Sequence, residues 1–329
     1  MQPVVPERLR AGANVRVVAP ARSLAMVGPE TQRIADARFA ELGLELSFGR
    51  HVEERDAFIS SSASSRLDDL HTAFADTSVD AILTVIGGFN SHQLLPHLDW
   101  DLIAQNPKIL CGFSDITALL NAIHARTGLI TYLGPHYSSF GMRDHFEDTL
   151  RWFVKSLFDD ADVRITPADR WTDDETWFLD QDDRHPIDND GWWRLRQGRA
   201  HCRIVGGNAS TFALLNGTGY EPALADTVLL LEDDYESEPH HFDRWLTSVL
   251  QQPGADRIRG LVVGRFQRRS GMTRELLQDI VDRQPVLGEV PVLANVDVGH
   301  TSPMATVPIG GNVELDVTPD EATLRFIHP

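Results

Sequence analysis

Short apolar runs alternate with helical stretches along the first half of this chain, and that alternation limits its fold more than any other feature. Residues 15–19 read as a strand, 30–42 as a helix stopped by Gly43, 44–48 as a strand, and 66–75 as a helix carrying Leu67, Leu70 and Phe74. Residues 81–86 read as the next strand and run into a Gly87-Gly88 turn. Such a repeat gives a parallel sheet covered on both faces, and these sheets hold ligands at the carboxyl ends of their strands. Further on, 223–231, 259–266 and 290–298 read as strands separated by helices at 240–251 and 273–284, and short alternating segments close the chain from 307 to 327.

Three strand ends carry chemistry. In Lys108-Ile-Leu-Cys-Gly-Phe-Ser-Asp-Ile-Thr117 an apolar run ends in Gly-Phe-Ser-Asp, and a helix with Ile116, Leu119, Leu120 and Ile123 on one face begins at once. A hydroxyl at such a corner is exposed beside free backbone N–H groups, which is how many serine nucleophiles are mounted. Ser114 or Asp115 also reads as the N-cap of that helix. Asp226-Thr-Val-Leu-Leu-Leu-Glu-Asp-Asp234 is a second buried run, ending in Glu232, and the strand beginning at Val290 delivers His300. A nucleophilic hydroxyl needs a base to take its proton, and the base needs an acid to fix its tautomer. Ser114, Glu232 and His300 meet that need.

The Gly87-Gly88 turn invites a phosphate-loop reading, yet neither G-x-G-x-x-G nor G-x-x-x-x-G-K-[ST] is present, and the same donors serve an oxyanion. His240-His241 lies near acidic residues, but H-E-x-x-H is absent and adjacent helical residues point to different faces, so a solvated helix start is the default. No metal and no cofactor are expected. A formal net charge of −18 opposes nucleic acid and anionic membranes as partners. Two cysteines, Cys111 and Cys202, are too few for a disulfide framework. The absence of a signal-like N-terminus or a long apolar stretch leads us to expect a cytoplasmic protein.

Residues 159–199 lack a sustained apolar period but hold Trp171, Trp177, Trp192 and Trp193. Tryptophans on a loop near a catalytic mouth can stack on a flat ligand; anchoring the loop to the protein body is an equal reading.

The segments Gly87-Gly-Phe-Asn-Ser91, Gly112-Phe-Ser-Asp-Ile-Thr117, Gly206-Gly-Asn-Ala-Ser-Thr211, Leu231-Glu232-Asp233 and Gly299-His-Thr-Ser-Pro-Met304, the last followed by Pro308-Ile-Gly310, together resemble the LD-carboxypeptidase family of serine peptidases. Within it they are most similar to the microcin C7 self-immunity branch. The resemblance implies Ser114 as nucleophile, His300 as general base, Glu232 as its orienting acid, and the N–H groups of Gly88 and Asp115 as the oxyanion hole. Asn90 and Asn208, inside two of the motifs, become candidate substrate-binding residues. So do Trp192 and Trp193, because that branch stacks an aromatic loop on its nucleotide. The expected fold is α/β: a Rossmann-like or flavodoxin-like domain over residues 1–158, a connection over 159–199, and a mixed, swivelling β/β/α-like domain over 200–329.

The implied substrate is a small molecule or peptide: an aminoacyl nucleotide whose amide is cleaved in detoxification of a microcin-type toxin, or a murein tetrapeptide losing its terminal D-alanine. A homodimer is expected by family analogy. A reading of another class is a non-catalytic nucleotide- or peptide-binding protein. One departure stands out. Members that accept an acidic aminoacyl group offer a lysine shortly after the glutamate, where this chain reads Asp233-Asp-Tyr-Glu-Ser-Glu238, with Glu236 in the acidic stretch.

Overall fold

A computed structural model describes residues 2–159, 161–174, 178–179, 181 and 184–327. Its strands are β1 (Asn14–Val18), β2 (Glu45–Phe48), β3 (Ala81–Thr84), β4 (Ile109–Gly112), β5 (Thr131–Leu133), β6 (Val163–Ile165), β7 (Arg170–Trp171) and β8 (Ile187–Asp188). They continue with β9 (Trp193–Arg196), β10 (Gly198–Asn208), β11 (Thr227–Glu232), β12 (Gly260–Gly264), β13 (Val292–Val296), β14 (Val307–Ile309), β15 (Asn312–Val317) and β16 (Ala322–Ile327). The helices are α1 (Pro29–Glu41), α2 (Ala63–Ala75), α3 (Trp100–Gln105), α4 (Thr117–Thr127), α5 (Glu147–Leu157), α6 (Ala209–Ala213), α7 (Pro239–Leu250) and α8 (Arg274–Asp282).

One sheet has the order β14-β5-β4-β3-β1-β2, in which β1 to β5 are all parallel and β14 lies antiparallel to β5. The order 2-1-3-4-5 is that of flavodoxin-like sheets, whose ligand crevice opens where the winding reverses, beside β1 and β3. A second sheet, β6-β16-β15-β10-β11-β12-β13-β9, is parallel from β10 to β13 and antiparallel at its flanks. Strands β3, β4, β11, β12 and β13 are buried at every residue, as continuous apolar runs between helical layers must be.

The structure departs from the sequence reading in three places. β10, an eleven-residue strand at the centre of the second sheet, has no apolar run of its own: Gly198-Arg-Ala-His-Cys-Arg alternates polar and small residues before it becomes fully buried at Ile204. The stretch 159–199 supplies β6 and β9 to the two edges of the second sheet and the β7–β8 ribbon, so it is woven in rather than strung between two bodies. β14, from the C-terminal part of the chain, completes the first sheet. Among the described residues no helix is long and apolar enough to cross a membrane.

The two sheets meet at α4. Asn121 donates to the Gly206 carbonyl at 2.8 Å and accepts from the Gly206 N–H at 3.0 Å, while the Asn208 N–H donates to Thr117 Oγ1 at 3.0 Å. A Cβ on Gly207, whose φ is +138°, would stand 2.5 Å from Thr117 Oγ1, so only glycine allows this approach.

Candidate active site

β4 ends at Gly112 and the chain turns through Phe113 into Ser114, which sits at φ +59°. A non-glycine residue in the left-handed region is strained, and it holds Oγ out at the head of α4. β11 delivers Glu232, wholly buried, at its last residue, and the loop after β13 delivers His300. His300 Nε2 lies 3.0 Å from Ser114 Oγ, and His300 Nδ1 lies 2.7 Å from Glu232 Oε2. The carboxylate accepts from Nδ1–H, which leaves the Nε2 lone pair to accept from the Ser114 hydroxyl. Gly299 makes the Glu232 contact possible: its φ is +103°, and a Cβ there would stand 2.3 Å from Glu232 Oε2.

Gly87 and Gly88 follow β3 and face this corner; a Cβ on Gly87 would touch Ser114 Cβ at 2.8 Å. Among the described residues neither the Gly88 nor the Asp115 N–H has an acceptor. The Asp115 side chain ties the two loops together. Its carboxylate accepts from the Asn90 and Ser91 N–H groups at 3.0 and 2.8 Å, and its carbonyl accepts from Ser91 Oγ at 2.6 Å. Burial raises the Asp115 pKa, and these backbone donors oppose the rise by holding its charge.

Burial alone would depress the His300 pKa, but the charge and hydrogen bond of Glu232, with Asp234 and Asp233 beyond, carry it up to about 9. Asp233 is itself pushed up to about 7 by burial and then by Glu232 and Asp234. His136, packed on Phe113 at 4.2 Å, is 1% exposed and donates from Nδ1 to Thr84 Oγ1, whose own proton goes to the Cys111 carbonyl. Burial, with His300 nearby, keeps it well below its ordinary pKa, so it is a neutral neighbour whose Nε2 has no partner among the described residues.

A cavity of about 230 Å³ opens over Ser114 and His300, far more than a single water needs. It is lined by Arg22, Phe178 and Arg184 from one side of the sequence and by Asp234, Tyr235 and Glu236 from the loop after β11.

Models of the LD-carboxypeptidase N-terminal and C-terminal domains match residues 15–134 and 201–315. The chain belongs to the LD-carboxypeptidase family. It is a serine peptidase of carboxypeptidase-like type. A Bacillus subtilis protein named "Putative carboxypeptidase YocD" is 42% identical over 94% of this chain and 95% of its own. The crystal structure of an MccF-like protein from Bacillus anthracis superposes with a TM-score of 0.97 at 42% identity, covering 99% of this chain and 100% of that one. MccF in complex with glutamyl sulfamoyl guanosine superposes at 0.88 with 25% identity, each chain covered to 99%.

Four of the residues expected at the substrate do not line the cavity. Trp192 is 7% exposed and donates from Nε1 to Asp297, whose other oxygen pairs with Arg265 at 2.7 Å, so it belongs to the core of the second sheet. Trp193 lies in β9, half-buried, its indole on Asp190. Neither lines the cavity. Asn90 is buried and donates to Ser60 while its N–H serves Asp115, and Asn208 caps α6 and donates to Asp233 at 3.0 Å; both hold the framework of the site. Trp171 lies against Arg265, and Trp177 falls outside the described residues. Of the aromatic residues that do line the cavity, Phe113 falls inside the Gly112-Phe-Ser-Asp motif, while Phe146, Phe178 and Tyr235 carry no periodic or motif signal that marks them in the sequence. Arg22 follows the carboxyl end of β1, which is the one available cue.

The rings of His240 and His241 lie 4.1 Å apart and tilted at the start of α7, with Glu238 beside His240. Among the described residues the grouping with ligand-like spacing is His51, Asp68 and Asp69, which lines no part of the cavity.

Proposed function

We propose that this protein hydrolyses an amide through Ser114, His300 and Glu232. The observation that carries the reading is the hydrogen-bonded chain from Ser114 Oγ through His300 to the buried Glu232, with two unused N–H groups at its head. Ser114 Oγ attacks the scissile carbonyl as His300 Nε2 takes its proton, and Glu232 stabilises the imidazolium. The Gly88 and Asp115 N–H groups hold the oxyanion, each contributing about 3–4 kcal/mol to lowering the barrier. The imidazolium protonates the departing amine, and water activated by the same histidine releases the acid.

The substrate we propose is an aminoacyl group joined by an amide to a nucleotide-like moiety, with detoxification of a microcin-type compound as the role. The likeness to MccF-like structures, one of them holding glutamyl sulfamoyl guanosine, supports it, as do Phe178 and Tyr235 at the cavity, where a base can stack. The carboxypeptidase names among the relatives favour the second reading, removal of a terminal D-amino acid from a murein tetrapeptide. We carry a homodimer and a cytoplasmic location as part of the proposal, on family analogy.

Turnover of a panel of aminoacyl-sulfamoyl adenylates and a murein tetrapeptide, followed by mass spectrometry with Ser114→Ala as the blank, separates the readings. Cleavage of the adenylates alone supports detoxification, and release of D-alanine alone supports murein recycling. Unimpaired hydrolysis by folded Ser114→Ala removes the nucleophile assignment. A wild-type protein that binds these ligands tightly but neither cleaves them nor reacts with a fluorophosphonate at Ser114 is a binding protein.

A further inference from the structure

Two arginines reach the cavity, and they differ in what holds them. Arg184 is 3% exposed, and its guanidinium donates to Asp174 Oδ2 and the Asp144 carbonyl, each at 2.7 Å, and to the Thr172 hydroxyl. Its charge is answered within the fold. Arg22 has no carboxylate partner among the described residues: it approaches Met26 Sδ at 3.9 Å, its Cζ lies 5.9 Å from the Phe89 ring centre, and its Nε is buried with no acceptor. Buried donors without acceptors are costly, and a guanidinium in that position is a ready receiver for an anion.

The position of Arg22 relates that anion to the reaction. Its N–H donates to the Gly87 carbonyl at 3.2 Å, and a Cβ placed on Gly88 would stand 3.2 Å from Arg22 Cγ. Arg22 is therefore anchored to the turn that presents the Gly88 N–H to the substrate carbonyl. Of the acids that line the cavity, Asp174 is paired with Arg184, while Asp234 and Glu236 come from the loop after β11 of the other sheet, so the charges left free for a substrate enter from different elements and can orient one that carries both signs.

We propose that Arg22 is the anion subsite of this enzyme, binding the negative charge that the substrate's leaving group carries next to the scissile amide. The inference rests on the hydrolase reading above. Both candidate leaving groups have this chemistry: a D-amino acid carries its carboxylate on the carbon attached to the scissile nitrogen, and an acyl sulfamate is acidic at that nitrogen itself. A planar guanidinium pairs with either through two parallel hydrogen bonds.

The test measures kcat and KM of the wild type, Arg22→Ala and Arg22→Lys on two matched pairs. One is a murein tetrapeptide with a free or an amidated C-terminus; the other is an aminoacyl-sulfamoyl adenosine with a free or an N-methylated acyl sulfamate. Arg22→Ala should raise KM about ten- to hundredfold more on the anionic member of whichever pair is turned over than on its uncharged partner, so that the wild type's preference for the anion is lost, and Arg22→Lys should restore part of that preference. Equal losses on both members, or none, overturn the subsite. The pair that wild type cleaves identifies the source of the anion. If wild type cleaves neither, the hydrolase reading falls, and calorimetric titration of the same probes decides the subsite separately: affinity that drops for the anionic probes alone in Arg22→Ala sustains it, and unchanged affinity overturns it.

Discussion

His300 is held between two opposed effects, and their balance sets how the enzyme answers to pH. Burial disfavours the imidazolium, but Glu232 at 2.7 Å and the acids behind it favour the charged ring more strongly, which places its pKa at about 9. On the proposed mechanism the base must be neutral to accept the Ser114 proton, so kcat/KM should climb about tenfold per pH unit from pH 6 and level off near 9. Asp234→Asn removes one of the charges that raise the pKa, so its profile should shift to lower pH. A profile that is flat between pH 6 and 9, or one that stays in place in Asp234→Asn, would falsify this account. Ser114, Glu232 and His300 could be picked out as candidates because each closely follows or ends an apolar run, a one-dimensional signal. The interior position of Trp192 could not be read from the sequence, because nothing in its spacing shows that Asp297 and Arg265 lie ready for its indole.

Among the elements, the contact between α4 and β10 helps to place Ser114, the proposed nucleophile. Thr117, three residues after Ser114, receives the Asn208 N–H, and Gly207 lets the two backbones approach. Gly207→Ala should cost about 2–4 kcal/mol, combining strain at a positive φ with a clash against Thr117, and should lower kcat because α4 carries Ser114 with it. Chemical denaturation of the variant together with its kcat checks both parts; full stability with full activity would show that the contact is dispensable. Helix positions such as α1, α2 and α7 were readable from apolar spacing to within a few residues. β10 was not, since its first half takes its place through antiparallel pairing with β15 rather than through an apolar run of its own.

At the scale of the whole molecule the two sheets share one apolar core. A single cluster of buried side chains runs from Leu70, Phe74 and Leu119 on the helices of the first sheet to Val228, Leu261 and Leu293 in the second, and β14 stitches the C-terminal part into the first sheet. Calorimetry should therefore show one cooperative unfolding transition, with residues 1–158 failing to fold alone, because removing the rest exposes that shared surface. Two resolved transitions, or a folded fragment, would show that the halves are independent.

The sequence by itself determined the α/β class and the family, and it marked Ser114, Glu232 and His300 as candidates, because apolar runs, glycine turns and short motifs are local and survive as text. Only the tertiary structure decided that β6 and β9 from 159–199 join the second sheet, that Asn90 and Asn208 hold the framework of the site, that Trp192 packs into the core of the second sheet, and that Arg22 at the cavity has no carboxylate partner among the described residues. Those outcomes depend on which distant groups come within hydrogen-bond reach, and spacing along the chain carries no record of that.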